Sequence, residues 1–264
     1  MNASFLSLAI VRKGARIVVG LALPLALAAC ATGPNADPRD PLEPYNRTVF
    51  KFNDAVDRAV LKPVAKGYVN TVPDPVRTSV SNFFGNLSDM WSTVNNLLQL
   101  KGQDTVESAL RVTTNTVFGF GGLFDVATAM GIPRHKQDFG LTLGRWGVSP
   151  GPYFVLPLLG PSTIRDTAAL PVDMLGSPIG QINDIPWRNG LTVGRVIDTR
   201  ATLLPATDLL DQAALDKYLL ARDAFLQLRT GGKREENYDN TDYSAEPAAA
   251  PAAPQPAQPA GPAQ

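Results

Sequence analysis

His135 is the only histidine of the chain and lies in Pro133-Arg134-His135-Lys136-Gln137-Asp138. With Asp138 three residues on and serines elsewhere, a Ser/His/Asp set is arithmetically conceivable. Its nucleophile would need holding at a strand-to-helix turn, and no G-x-S-x-G elbow is expected to do so here. A polar, exposed loop accounts for His135 more simply. One histidine and one cysteine cannot fill a conventional zinc site. Asp125, Asp166, Asp173 and Asp184 have the chemistry to pair as acid and base, but their spacing singles out no pair, and Asp125 and Asp166 fit helix caps at least as well. Gly119-Phe120-Gly121-Gly122 misses both the G-x-G-x-x-G spacing and the strand such a loop requires. No catalytic residue, no metal and no enzyme activity are expected.

The remaining reactive group is Cys30, the lone cysteine, which closes Leu27-Ala28-Ala29-Cys30. Ahead of it Arg12, Lys13 and Arg16 form a positive region, and residues 17–29 an apolar one ending in small side chains, the organisation of a secretory signal over residues 1–29. Three readings of Cys30 follow. It is an inert small hydrophobe, since no second cysteine offers a disulfide or a redox pair. It belongs to a retained membrane helix, although such a helix needs roughly 20 apolar residues and Pro24 interrupts this stretch. Or it is the acylated N-terminus of a lipoprotein, because L-A-A-C resembles the bacterial lipobox; this third reading is preferred. Cys30 would then carry a diacylglycerol and a further N-terminal acyl chain such as palmitate, since one chain alone anchors only marginally. Ala31, in place of an aspartate, fits sorting to the outer membrane.

Behind the anchor, residues 30–44 hold Pro34, Pro38, Pro41 and Pro44 and read as an extended tether. Residues 45–230 have the size of one domain. Residues 231–264 turn polar and then almost wholly Pro, Ala, Gln and Gly, too poor in apolar surface to offset the entropy of ordering, and are expected to be disordered. The chain balances 24 basic against 24 acidic residues, with no basic cluster that would track a phosphate backbone, so no nucleic-acid partner is expected.

Helical periodicity positions these groups. Val49, Phe52, Val56 and Val60 recur at three to four residues. Phe83, Phe84, Leu87, Met90, Trp91, Val94, Leu97 and Leu98 trace a wider stripe opposite Asn86, Ser88, Asp89, Asn95 and Asn96. Asp104 and Glu107 fit a capping box opening a helix with Val106, Leu110 and Val117 on its apolar side. Leu215, Tyr218, Leu219, Arg222, Phe225 and Leu226 form a last stripe. No strand alternation competes, so the fold class is mostly α. The middle differs in kind: glycines and prolines between 119 and 160 punctuate Trp146, Tyr153, Phe154, Val155, Leu156, Leu158 and Leu159. Glycine lets backbones approach and proline fixes turns, which reads as a rigid Gly/Pro-rich amphipathic hairpin region. Its hydrophobes are either the core of a helical domain or a surface facing acyl chains. Trp91, Trp146, Tyr153 and Trp187 would suit the headgroup level.

A set of separated blocks carries a resemblance. Asp40-Pro-Leu-Glu-Pro-Tyr-Asn-Arg47, Phe50-Lys-Phe-Asn-Asp54, Pro73 with Pro75, Asn82-Phe-Phe-Gly-Asn-Leu87 and Asn95-Asn-Leu-Leu98 are followed by Gly121-Gly-Leu-Phe-Asp-Val-Ala127 and Asp138-Phe-Gly-Leu-Thr-Leu-Gly144. Then come Trp146-Gly147, Gly151-Pro-Tyr153, Leu156-Pro-Leu-Leu-Gly-Pro-Ser162, Arg165-Asp166, Asp216-Lys-Tyr218 and Arg222-Asp223. Over residues 40 to 229 the chain resembles the MlaA (VacJ) family of outer-membrane phospholipid-transport lipoproteins. It departs at Leu110-Arg111-Val112, less aromatic than the usual pattern, and at Leu141, where glutamine is common.

The resemblance implies a compact, ring-like helical domain in the periplasmic leaflet of the outer membrane, with a central amphipathic channel. It implies a trimeric outer-membrane porin, a periplasmic phospholipid carrier and outer-membrane lipids as partners, and phospholipid as the transported ligand. Mislocalised outer-leaflet phospholipid would pass through the channel to the carrier, maintaining lipid asymmetry; the alternative is a porin-associated structural lipoprotein without lipid transfer. Candidates for the channel or its gate are Asn82, Phe83, Phe84, Gly119, Gly121 and Gly122, with core packing an equal reading of the aromatics. Candidates for the membrane-facing or hairpin region are Trp146, Tyr153, Phe154, Leu156 and Leu158.

Overall fold

Proline sets the starting points of this fold. With its φ fixed and no N–H to satisfy, it suits the first helical positions, and five helices open on one: α1 (Glu43–Val56), α2 (Lys62–Thr71), α3 (Asp74–Leu98), the 3-10 turn Pro178–Gln181 and α8 (Ile185–Ala213). The computed structural model describes residues 37–238, except for the side chains of 212, 213 and 230–238. The expected signal segment, Cys30 and the Pro/Ala tail lie outside the described residues.

Between α1 and α2 the chain winds as a π turn, Asp57–Leu61, where Pro63 offers no N–H to the ladder. α4 (Gly102–Val117), α5 (Val126–Ala129) and α6 (Phe139–Arg145) follow α3. Next comes an antiparallel hairpin of β1 (Tyr153–Leu156) and β2 (Gly160–Thr163), with Tyr153 opposite Thr163 and Leu156 opposite Gly160. α7 (Ile164–Gly176) leads through the 3-10 turn to α8 and α9 (Lys217–Tyr238). Side chains cap four of these helices: Asp125, Asp138, Thr163 and Asp184 each accept from the backbone N–H three residues on.

The fold is mostly helical, as expected, and the Gly/Pro-rich region expected to form a hairpin does contain one, built on two short β-strands that the sequence pattern did not suggest. Its strands are four residues each, too short to show alternation above the flanking glycines and prolines. The expected capping box is absent: Lys101 stands at the N-cap of α4 without a side-chain cap, and Asp104 lies inside the first turn. Nor does Asp166 cap α7; Thr163 does. Two compact units divide the chain, one through Leu226 and one from Gln227 onward.

Within the first unit two apolar clusters are buried. Tyr153, Val155, Tyr218 and Leu226 pack with Val49, Phe50, Leu219 and Phe225 at a junction of α1, the hairpin and α9. Ala65, Ala201 and Leu204 pack with Tyr68 and Val69 between α2 and α8. The most extensive helix pairing, α3 against α4, is of another kind. No described helix is long and apolar enough to cross a membrane.

Candidate functional site

The α3–α4 pair buries its polar faces. On α3 the buried side chains are Phe84, Asn86, Asp89, Ser92, Asn95 and Asn96, and on α4 they are Ser108, Arg111, Thr114 and Asn115. Val94, Leu97 and Leu98 on α3, and Val106, Leu110 and Val117 on α4, face outward. Over the C-terminal part of α3 and along α4 the apolar stripe faces outward and the polar side inward, the reverse of the rule for a helix in water; nearer the start of α3, Phe84 is buried.

A hydrogen-bonded network fills the interior. Arg111 donates to both Asp125 carboxylate oxygens at 2.9 and 3.0 Å, to Thr128 Oγ1 at 3.1 Å and to the Ile132 carbonyl. Its Nε lies 3.6 Å from Asp89 Oδ2, which accepts from Arg134 Nε at 3.0 Å. Asn115 donates to Asp125 at 3.0 Å and accepts from the Ala127 N–H at 2.8 Å. Asn96 donates to Ser108 and to the His135 carbonyl, both at 3.2 Å, and Thr142 donates to Asn95 at 2.7 Å. Two carboxylates here titrate in opposite directions. Burial would raise Asp125, but hydrogen bonds from Thr128 and Asn115 and the nearby Arg111 charge outweigh it and hold the group at about 2. At Asp89 burial dominates and pushes the carboxyl up against the pull of Arg134 and Arg111. Asn86 Oδ1, Asn96 Oδ1 and Arg134 Nη2 are buried with hydrogen-bonding capacity unused by the chain.

At the end of α4 the run 117–124 turns back with Val117, Phe118, Phe120 and Phe124 exposed. No charged residue lies between Arg111 and Asp125, and both of those turn inward to each other. This turn gathers four of the six channel candidates. Asn82 donates to the Leu123 carbonyl at 3.2 Å. A side chain at Gly119 would collide with the carbonyls of Phe124 and Asn115, and one at Gly122, where φ is +92°, would come within 2.7 Å of Asn86. Gly121 faces open space. Phe83 and Phe84 meet edge to face, with ring centres 5.5 Å apart, and Phe84 is buried against α8 at Gly194.

The hairpin candidates divide. Trp146 is exposed, donating from Nε1 to the Leu98 carbonyl at 3.0 Å, and Leu158 is exposed at the hairpin tip. Phe154 is half-buried, its ring stacked on Tyr45 at 5.2 Å, and Leu156 is half-buried too. Tyr153 does not face outward: it is fully buried among Tyr218 and Phe225, and burial and the Asp40 charge push its phenol well above its usual range. Of the other aromatics expected at headgroup level, Trp187 is exposed, whereas Trp91 donates to Asp173 at 2.8 Å.

Among the described residues the polar contacts of the His135 ring are to acids and not to a serine. Gly147-Val148-Ser149-Pro150-Gly151 does carry G-x-S-x-G spacing, contrary to the expectation that the chain lacks it. The run joins α6 to β1, a helix-to-strand loop, so it is not the strand-to-helix elbow that raises a nucleophile. His135 is half-buried rather than exposed, with Nε2 at 2.5 Å from Glu107 and Nδ1 at 3.7 Å from Asp104. The two acids expected to cap α4 thus bind His135. Asp89, Arg111, Asn115 and Arg134 were not among the sequence candidates; Asp89 was visible only as part of the polar side of the α3 stripe, and Arg134 stood in the loop beside His135.

Residues 38–231 match the family model of the MlaA lipoprotein. The chain belongs to the MlaA family. The MlaA proteins of Haemophilus influenzae and Escherichia coli K12, each an intermembrane phospholipid transport system lipoprotein, are 35% and 37% identical to it. The first alignment covers 81% of this chain and 89% of the relative, and the second 75% and 82%. A protein of Rickettsia felis is 37% identical over 72% of this chain and 76% of its own length. A solved structure, described as the structural basis for maintenance of bacterial outer membrane lipid asymmetry, superposes with a TM-score of 0.63 at 36% identity. It covers 72% of this chain and 96% of that one. The MlaA match takes in the α3–α4 network, the Gly119–Gly122 turn and the hairpin together.

Proposed function

We propose that this chain is an outer-membrane lipoprotein, acylated at Cys30 and seated in the periplasmic leaflet, that takes mislocalised phospholipid from the outer leaflet and passes it through an amphipathic channel to a periplasmic carrier. One observation carries the reading: the inverted α3–α4 pair, with Asn86, Asp89, Asn95, Asn96, Arg111 and Asn115 inside and Val94, Leu97, Leu98, Val106, Leu110 and Val117 outside. Such a surface is unfavourable against water and favourable against acyl chains. A phospholipid headgroup loses several kcal/mol of hydration in bare hydrocarbon, by order of magnitude, unless polar groups replace the water. A body with polar side chains inside and an apolar belt outside offers both environments at one depth. The names of the H. influenzae and E. coli relatives support phospholipid as the cargo.

Transfer of this kind breaks no bond, so the chain acts as a conduit and not as an enzyme. A trimeric porin supports it in the membrane, and the Asn82–Leu123 and Asn86–Gly122 contacts hold the channel wall by close packing. The lipid gradient or the partners supply the work.

The test is reconstitution of the acylated protein with porin and carrier in asymmetric vesicles holding labelled phospholipid in the outer leaflet. Label reaching the carrier only when this protein is present is the expected result. Intact porin binding without transfer would leave a scaffold in place of a conduit, and release of lyso-lipid would make the protein a lipase.

A further inference from the structure

The hairpin ends in an unusual turn. Turns in water favour Gly, Asn, Asp and Ser, yet the loop between β1 and β2 is Pro157-Leu158-Leu159, with Leu158 67% and Leu159 61% exposed. Leu158 also holds φ at +64°, a left-handed conformation that a leucine adopts only at a cost and glycine or asparagine adopts readily. A bulky apolar side chain is kept where both solvation and backbone favour another residue.

The free edge of β1 is held by the N-terminal segment and by α1. Tyr153 N–H donates to the Arg39 carbonyl at 2.9 Å. Asn46 donates to the Tyr153 carbonyl at 3.0 Å and accepts from Val155 N–H at 2.8 Å; Asn53, two turns on, donates to the Leu156 carbonyl at 2.9 Å and accepts from Leu158 N–H at 2.8 Å. Two amide side chains thus stand in for a third strand. Asp40, 1% exposed, locks the segment down: its carboxylate accepts from Asn46 at 2.8 Å, from Arg222 at 3.4 Å and from the Tyr218 hydroxyl. Asp37, held at about 2 chiefly by its hydrogen bond from Arg39, pairs with Arg222 at 3.1 Å. A buried carboxylate is costly unless compensated this fully, and here it fastens a segment that would otherwise be only a leash.

We propose that the Pro157–Leu159 turn is a second membrane contact, inserted among the acyl chains of the leaflet that holds the Cys30 anchor and registered to it by the Asp37–Leu42 strap. The inference rests on the reading of Cys30 as acylated. Chain length supports that choice of partner. Cys30 precedes Asp37 by seven residues, a reach of at most about 25 Å. The turn lies five residues along β1 from the Arg39 contact, roughly 17 Å at strand rise. Anchor and tip are therefore held within roughly 50 Å of each other while the strap is docked. Undocking would lengthen the leash to the start of α1, thirteen residues from Cys30.

The test places an environment-sensitive dye on L159C in the full, acylated chain, bound to phosphatidylethanolamine/phosphatidylglycerol vesicles, and reads quenching by lipids brominated in the acyl chains. Mass spectrometry of the N-terminal peptide reports acylation. Strong quenching is expected in the parent. Twelve Gly/Ser residues inserted between Asn35 and Ala36 leave the dock intact, and should lower tip occupancy roughly fourfold by the −3/2 power of leash length. Asp40→Ala should lower it roughly two- to threefold on the same scaling. Leu158→Gly should lower tip insertion while leaving thermal stability unchanged or raised, which separates membrane contact from folding. Quenching indifferent to the inserted leash would overturn the registration, and an unquenched tip in an acylated parent would overturn the membrane contact. An unacylated Cys30 in the native host would remove the parent reading together with this one.

Discussion

Leu226 and Asn96 are both nearly sealed from solvent, in two helical regions that obey opposite rules. Around Leu226, the junction of α1, the hairpin and α9 buries Tyr153, Val155 and Tyr218. Around Asn96, the α3–α4 pair buries Asn86, Asp89, Asn95, Arg111 and Asn115 and exposes Val94, Leu97, Leu98, Val106, Leu110 and Val117. The first arrangement is what water selects. In the second, buried hydrogen bonds and ion pairs link the helices while apolar side chains lie exposed. One chain therefore contains a conventional core, which fixes the hairpin, and an inverted one, which suits a leaflet.

The largest expected effect breaks the inverted region. Arg111→Met leaves Asp89 and Asp125 without their shared cation, and removing one member of a buried charge set costs about 3–5 kcal/mol; denaturant unfolding of the detergent-solubilised chain measures it. A loss below about 1 kcal/mol would mean that the network does not hold α3 to α4. The conventional region answers to cavity rules instead: Leu226→Ala should cost about 3 kcal/mol in the same measurement.

A pH series sharpens the contrast. Asp125 is depressed from 3.8 to about 2, so its contribution is fully present above 3.8 and is lost as pH falls through about 2. That contribution is on the order of 2 kcal/mol. Melting curves between pH 2 and 6 should show the loss, and Asp125→Asn should flatten that part of the profile. The smallest effect on stability is expected on the outer face. Leu110→Gln with Val117→Gln should change unfolding free energy by no more than about 0.5 kcal/mol per site. Vesicle partition measured by flotation should fall at least roughly tenfold, since each side chain withdrawn from acyl chains removes apolar burial.

Much of this was legible in the sequence. α1, α3, α4 and α9 follow from periodicity, whereas α8, the longest described helix, shows no such stripe, and Asp125 caps α5 as its position suggested. Family membership was legible from separated blocks such as Asn82–Leu87 and Asp138–Gly144. The direction of burial was not. Periodicity locates the boundary between the two faces of α3, but the side that turns inward depends on the surrounding solvent. Asp104 and Glu107 matched a capping box in spacing; the partner that diverts them, His135, arrives from 28 residues beyond Glu107. Nothing in the local pattern marks Asn46 and Asn53 as a surrogate strand, because that role depends on a hairpin more than 100 residues away. Local pattern carries no information about such contacts.

The inverted pair is tested most directly by nitroxide depth measurements along α4 in vesicle-bound, acylated protein. Labels at Val106, Leu110 and Val117 should be accessible to oxygen and shielded from a water-soluble nickel relaxant, while labels at Ser108 and Asn115 should be shielded from both. Outward positions relaxed by nickel as strongly as a label in free solution would contradict the account.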